Sequence, residues 1–139
     1  MTNEQLFEYA KEARIKACVE LTNFKVGAAL LTMSGEVILG CNIEDPSGIG
    51  VTNICAERCA IVKALSDGHT DFKKIAVAGG PDELMFCAPC GACRQYLNSW
   101  CPDIKVILPE DTASRGDACN KLKEYSMSEL LPYSFDETF

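Results

Sequence analysis

Two short cysteine segments restrict this chain more than any other feature: Cys55-Ala56-Glu57 and Pro89-Cys90-Gly91-Ala92-Cys93. Each follows loop or strand residues and opens a stretch with helical recurrence, so each sets a cysteine at a helix start. A thiolate there meets unpaired backbone N–H groups and the positive end of the helix dipole, which help keep it deprotonated. The C-x-x-C spacing puts the Cys90 and Cys93 sulfurs about one helical turn apart, within reach of one ion. A fold that joins the two helix starts therefore gathers three sulfurs, and among the common divalent ions soft thiolates select zinc.

Whether such a site is structural or catalytic depends on the fourth ligand. A structural zinc site closes its tetrahedron with protein donors, whereas a catalytic one keeps a position for water. The one histidine, His69, sits beyond the second helix in Gly68-His69-Thr70 and reads as a solvated surface residue; Cys87 is near in sequence and is the candidate for closure. Glu57 favours the open site. Two residues after Cys55, its carboxylate can approach the open face without ligating, as a proton carrier must. The plainer role for Glu57 is an acid complementing the helix dipole.

The remaining segments give the frame. Thr2 and Gln5 form a capping box, and Leu6, Ala10, Ala13, Ala17 and Leu21 recur at helical spacing, predicting a first helix over about 3–21. Val26–Met33 and Val37–Cys41 flank the turn pair Ser34-Gly35 and predict a hairpin. Residues 45–53, with Pro46, Gly48 and Gly50, read as a loop, followed by a mostly buried helix from near Cys55 to Asp67-Gly68. A strand over Lys74–Ala78, a helix from Cys90 to about Ser99, a strand over Ile104–Leu108, a fifth strand over Leu122–Met127 and a short helix around Ser128–Leu131 complete the pattern. The order predicts an α/β domain spanning 1–139 with a mixed sheet, its later strands joined by crossover helices and running parallel.

Charge and cysteine usage exclude several functions. Thirteen basic against twenty acidic residues leave a net charge of −7, and no basic cluster exceeds Lys73-Lys74, so a nucleic-acid polymer is not an expected partner. No secretory pattern opens the chain and no apolar run reaches a membrane span, which predicts a cytoplasmic, unprocessed protein. The nine cysteines are odd in number, and the six outside the two segments read as small core or surface residues in a reducing compartment.

Cys55-Ala56-Glu57-Arg58 and Pro89-Cys90-Gly91-Ala92-Cys93-Arg94-Gln95 closely resemble the zinc motifs of the cytidine deaminase family. Phe24-Lys25-Val26-Gly27-Ala28-Ala29-Leu30 and Gly40-Cys41-Asn42-Ile43-Glu44 are similar to its two N-terminal motifs, and Glu129-Leu130-Leu131-Pro132 to its ending, so likeness covers most of residues 6–109. The resemblance implies a three-layer α-β-α sandwich with a five-stranded mixed sheet. It also implies a hydrolase of pyrimidine salvage that converts cytidine and deoxycytidine to uridine and deoxyuridine, with one zinc ion per chain on Cys55, Cys90 and Cys93. In that likeness Glu57 takes a proton from water and delivers protons to ring N3 and the leaving amine. Asn42 and Glu44 bind the ribose, Phe24 packs on the pyrimidine, and Ala56 lines the substrate site. Arg58 and Arg94 offset the excess thiolate charge, with Gln95 beside them. A homotetramer is implied too, in which Phe135 reaches a neighbouring site.

The likeness has gaps. Asp45-Pro46-Ser47-Gly48-Ile49-Gly50 replaces a shorter segment that usually holds a tyrosine, residues 111–125 look longer than typical, and Ala88 stands where serine is frequent. A deaminase of another cytosine nucleoside, such as blasticidin S, shares the zinc signatures. A zinc-stabilised binding or redox module using Cys90 and Cys93 is the alternative from another class.

Overall fold

The computed structural model describes residues 1–111 and 115–135. Its elements are α1 (Asn3–Arg14), β1 (Lys25–Thr32), β2 (Val37–Cys41), α2 (Ala56–Ser66), β3 (Phe72–Gly80), α3 (Gly91–Trp100), β4 (Lys105–Pro109), β5 (Leu122–Tyr125) and α4 (Met127–Leu130), with 3₁₀ turns at Gly50–Thr52 and Gly116–Asn120. One sheet of order β2-β1-β3-β4-β5 carries them, and it is mixed: β3 and β4 run parallel, the other neighbours antiparallel.

Alternation along the inner strands loads both faces with apolar side chains. Ala28, Leu30, Ile75, Val77, Val106 and Leu108 meet α2 and α3 on one face; Ala29, Leu31, Ala76, Ala78 and Ile107 meet Leu6, Phe7 and Ala10 of α1 on the other. The result is the expected three-layer sandwich. Two glycines set its spacing. A Cβ on Gly27 would overlap the backbone of Ala10 and Arg14, and one on Gly40 the backbone of Ala56 and Ala60. Each helix thus rests on bare strand, and α2 is seated with its first turn against β2.

Two expectations change. The first helix stops at Arg14 instead of running on through Leu21. Arg14 turns its guanidinium onto the carbonyls of Lys25 (3.2 Å), Gly80 (2.7 Å) and Asp82 (3.0 Å), and Cys18 N–H donates to Asn42 O at 3.0 Å, so the chain past the helix pairs with the end of β2. Strand-like bonds and burial of Val19 outweigh the helical spacing of Ala17 and Leu21, and Leu21 ends exposed. The fifth strand is antiparallel to β4, not parallel; β3 and β4, joined through the crossover helix α3, form the parallel pair among the described strands. Of the long 111–125 segment, residues 112–114 lie outside the described residues.

Candidate metal centre and cleft

Both helix starts deliver their cysteines as the sequence spacing requires. Cys55 is the N-cap of α2 and Cys90 the N-cap of α3, each in extended backbone conformation, and neither sulfur caps its own helix. Cys93 follows on the first turn of α3 and is fully buried. The three sulfurs all lie within 4.8 Å of one another, with Cys55 Sγ to Cys90 Sγ at 3.6 Å. Tetrahedral zinc with bonds of about 2.3 Å requires sulfurs about 3.8 Å apart, so this donor set fits the ion with little adjustment. No fourth His, Cys, Asp or Glu donor joins the group among the described residues, which leaves the arrangement open. Cys87, the sequence candidate for closure, stays outside; burial pushes its thiol up to about 12 and keeps it protonated.

Electrostatics supports an ion-binding role. The Cys55 thiol is lowered to about 5, first by a hydrogen bond from Cys93 and then by Arg58 and Cys90, against an opposing burial effect. Cys93 is shifted upward, principally through that same hydrogen bond to the Cys55 thiolate, so without metal it holds the shared proton. A divalent cation displaces such protons on binding. Arg58 Nη2 stands 3.5 Å from Cys55 Sγ, where its charge offsets part of the excess that three thiolates carry around a divalent ion. Its Nε is buried without a partner.

Glu57, on the first turn of α2, is 3% exposed. Burial raises its carboxyl to about 7, with the Cys55 charge adding to the rise and its own backbone N–H and Cys93 opposing it. Buried carboxyls with raised pKa beside clusters of metal-ligand side chains are candidates for functional groups.

These residues face a cavity of about 240 Å³, lined by Asn42, Glu44, Cys55, Ala56, Glu57 and Cys90 together with Val26, Ile43, Asn53, Ile54, Cys87 and Ala88. Larger depressions, of about 880 Å³ around Pro102–Lys105 and Ser126–Ser134 and about 690 Å³ along β2, hold no comparable group of donors among the described residues. Chemistry rather than size identifies the site.

The other expected residues divide. Glu44 lines the cavity with its Oε1 accepting from Thr22 N–H at 3.3 Å. Asn42 lines it too, but its amide is largely used: Oδ1 accepts from Val26 N–H at 2.9 Å and Nδ2 donates to Phe24 O at 2.8 Å, leaving one N–H. Phe24 is half-buried against the α2-side core and is not part of the cavity lining. The Arg94 guanidinium binds the carbonyls of Pro89 and Leu130, each at 2.7 Å, and touches no sulfur; it ties the loop before Cys90 to α4. Gln95 Nε2 donates to Ser99 Oγ and Phe135 O, both 3.2 Å, away from the sulfurs. Phe135 is 71% exposed and outside this chain's cavity. His69 is not free in solvent, since its Nε2 lies 2.7 Å from Glu36 Oε2.

Asn53 is a polar lining residue to which sequence reasoning assigned no role. Residues 45–53 read as loop, yet Ile54 pairs with Ile43 in an antiparallel bridge, which turns Asn53 to the cavity. Nothing local signals that pairing.

Comparison with known proteins agrees with this chemistry. A family model described as the cytidine and deoxycytidylate deaminase zinc-binding region matches residues 1–108. The cytidine deaminase of Halalkalibacterium halodurans is 44% identical over 136 residues, 97% of this chain and 95% of that protein. Blasticidin-S deaminase of Bacillus cereus is 33% identical over 137 residues, 94% of this chain and 90% of that protein. The crystal structure of cytidine deaminase from Burkholderia pseudomallei superposes with a TM-score of 0.82 at 39% identity, covering 97% of this chain and 100% of that one.

Proposed function

This chain belongs to the cytidine and deoxycytidylate deaminase family, and on that basis we propose that Cys55, Cys90 and Cys93 hold its zinc ion and that Glu57 carries protons in its reaction. The enzyme is a zinc-dependent hydrolase that deaminates cytidine and deoxycytidine. The single observation that carries the site assignment is the triad of sulfurs within 4.8 Å, with the buried carboxyl of Glu57 on the cavity that Cys55 and Cys90 also line.

When bound, the zinc ion supplies Lewis acidity that makes water a nucleophile at neutral pH. The protein's own residues do the rest. Glu57 accepts a proton from the attacking water and passes it to ring N3, then accepts the remaining proton of the added hydroxyl and gives it to the amino group, which leaves C4 as ammonia while the C4 carbonyl forms. Cytidine and water thereby become uridine and ammonia, with Glu57 restored. Burial of Glu57, which raises its carboxyl toward neutrality before any ion is bound, brings its acid and base forms closer in energy than they are in water. Arg58 moderates the thiolate charge. Asn42, through its remaining N–H, and Glu44 hold sugar hydroxyls, Ala56 closes the cavity wall beside Cys55, and Phe24 braces that wall from the core.

We assign the whole chain, 1–139, to one catalytic domain and propose that it works as a homotetramer. Support comes from Phe135: its backbone is tethered to Gln95 while its ring is 71% exposed, in position for a neighbouring chain. No described helix is long and apolar enough to cross a membrane. The net charge of −7 argues for a neutral nucleoside over a nucleotide or polynucleotide.

The test pairs metal analysis with ultraviolet absorbance on cytidine, deoxycytidine and blasticidin S. The expected result is one zinc per chain and turnover of the first two in preference to the third. Glu57→Gln should retain zinc and lose about 100-fold to 10,000-fold in turnover. Full activity in that variant removes Glu57 from the mechanism, and zinc without turnover of any cytosine compound points to a binding module.

A further inference from the structure

The cavity contains one polar side chain to which neither the cysteine motifs nor the family resemblance assigns a role, Asn53. Its placement follows from the bridge in which Ile43 and Ile54 exchange both backbone hydrogen bonds, each 3.0 Å. In an antiparallel pair the residues flanking such a bridge face each other, so Glu44 stands opposite Asn53 and Asn42 opposite Cys55, with both pairs on one face. All four residues line the cavity. The Glu44–Asn53 pair is two residues farther along than the pair that contains a metal-binding sulfur, where the part of a substrate remote from the reacting carbon must lie.

Asn53 is held in one orientation. Its Oδ1 accepts the Asp45 N–H at 2.6 Å, which leaves Nδ2 as a donor, and no described residue accepts from it. Its neighbour Glu44 offers only acceptors when ionised. A donor beside an acceptor is complementary to two adjacent hydroxyls, one of which gives its proton while the other receives a hydrogen bond. We propose that Asn53 reads the sugar of the substrate: Glu44 accepts from one of the vicinal ribose hydroxyls and Asn53 Nδ2 donates to the other, making Asn53 a specificity-determining residue for a nucleoside with an intact diol. This rests on the deaminase function above.

The test measures kcat and KM of the zinc-loaded enzyme on cytidine, 2′-deoxycytidine and 3′-deoxycytidine, for the unmodified chain, Asn53→Asp and Asn53→Ala. Asn53→Asp keeps an acceptor for Asp45 N–H, so the loop stays anchored, but replaces the donor with a second acceptor. Zinc content and melting temperature confirm that both variants are folded. The expected result is a threefold to tenfold loss in kcat/KM on cytidine, carried mainly by KM, with Asn53→Asp at least as impaired as Asn53→Ala. On one of the two monodeoxy compounds the variants should match the unmodified enzyme, because the hydroxyl that Asn53 contacts is already missing. An equal loss on all three compounds, or no loss on cytidine, overturns the proposal. Failure of the unmodified, zinc-loaded enzyme to turn over any of the three overturns the deaminase function and this proposal with it.

Discussion

At the scale of residues, the site is a small set of charges forced together in a partly dry place. Glu57 shows the tension most clearly. In the metal-free protein its folded-state pKa of about 7 lies above the ordinary 4.5, so the folded state binds the proton more tightly than the unfolded one. Its stabilising effect is therefore full below about pH 4.5 and is lost as pH rises to about 7, a swing of about 3 kcal/mol at a group this buried. Urea denaturation of chelator-treated protein should find Glu57→Gln more stable than the unmodified chain at pH 8, by up to that amount, and nearly equal at pH 4. Equal stability at both values would show that the carboxyl is solvated. Arg58 makes the converse case: with its contact at 3.5 Å from Cys55 Sγ removed, the thiolates' excess charge is less offset and water at the ion becomes less acidic. Arg58→Ala should keep zinc, reduce turnover about 10-fold to 100-fold, and move the acidic limb of the pH–rate profile upward.

At the scale of elements, catalysis depends on how α2 and α3 are seated. Bare strand at Gly40 lets the first turn of α2 settle on β2, and the turn so placed carries Cys55 and Glu57. Gly27 does the same for α1, which carries no site residue. Both substitutions to alanine overpack the sheet and should destabilise by about 1–3 kcal/mol or more. They should differ in a second measurement: Gly40→Ala lowers zinc affinity in competition with a chromophoric chelator, while Gly27→Ala leaves it close to normal. The elements also show why some expectations missed. Ala17 and Leu21 continue the helical spacing of α1, but the carbonyls awaiting Arg14 and the strand partner awaiting Cys18 exist only after the chain has folded. Arg94 stands next to Cys93 in sequence, and its place on α3 directs its guanidinium to the carbonyls of Pro89 and Leu130.

At the scale of the whole molecule, a metal ion held by the three sulfurs would act as a clasp between the two helices that lie on one face of the sheet. Direct packing between α2 and α3 is sparse beside the packing of α2 on β1 and β2, so a metal on the three sulfurs would add to their mutual restraint. Removing zinc should lower the melting temperature and speed hydrogen exchange at the first turns of α2 and α3, with the exchange of β1 and β3 little changed. If exchange rises evenly over the sheet, the clasp description fails.

The residues alone pointed to the group of Cys55, Cys90 and Cys93, because ligand softness and helix-start placement are local properties that survive any packing consistent with them. They also determined the α/β class with its mixed sheet, whereas the three-layer order was implied by the family resemblance. Tertiary structure decided the rest. That Cys87 stays outside the cluster, that Phe24 packs against the α2-side core, and that Asn53 enters the cavity opposite Glu44 all depend on contacts between segments distant in sequence. Burial and strand register are collective quantities: no residue carries them until its neighbours are in place.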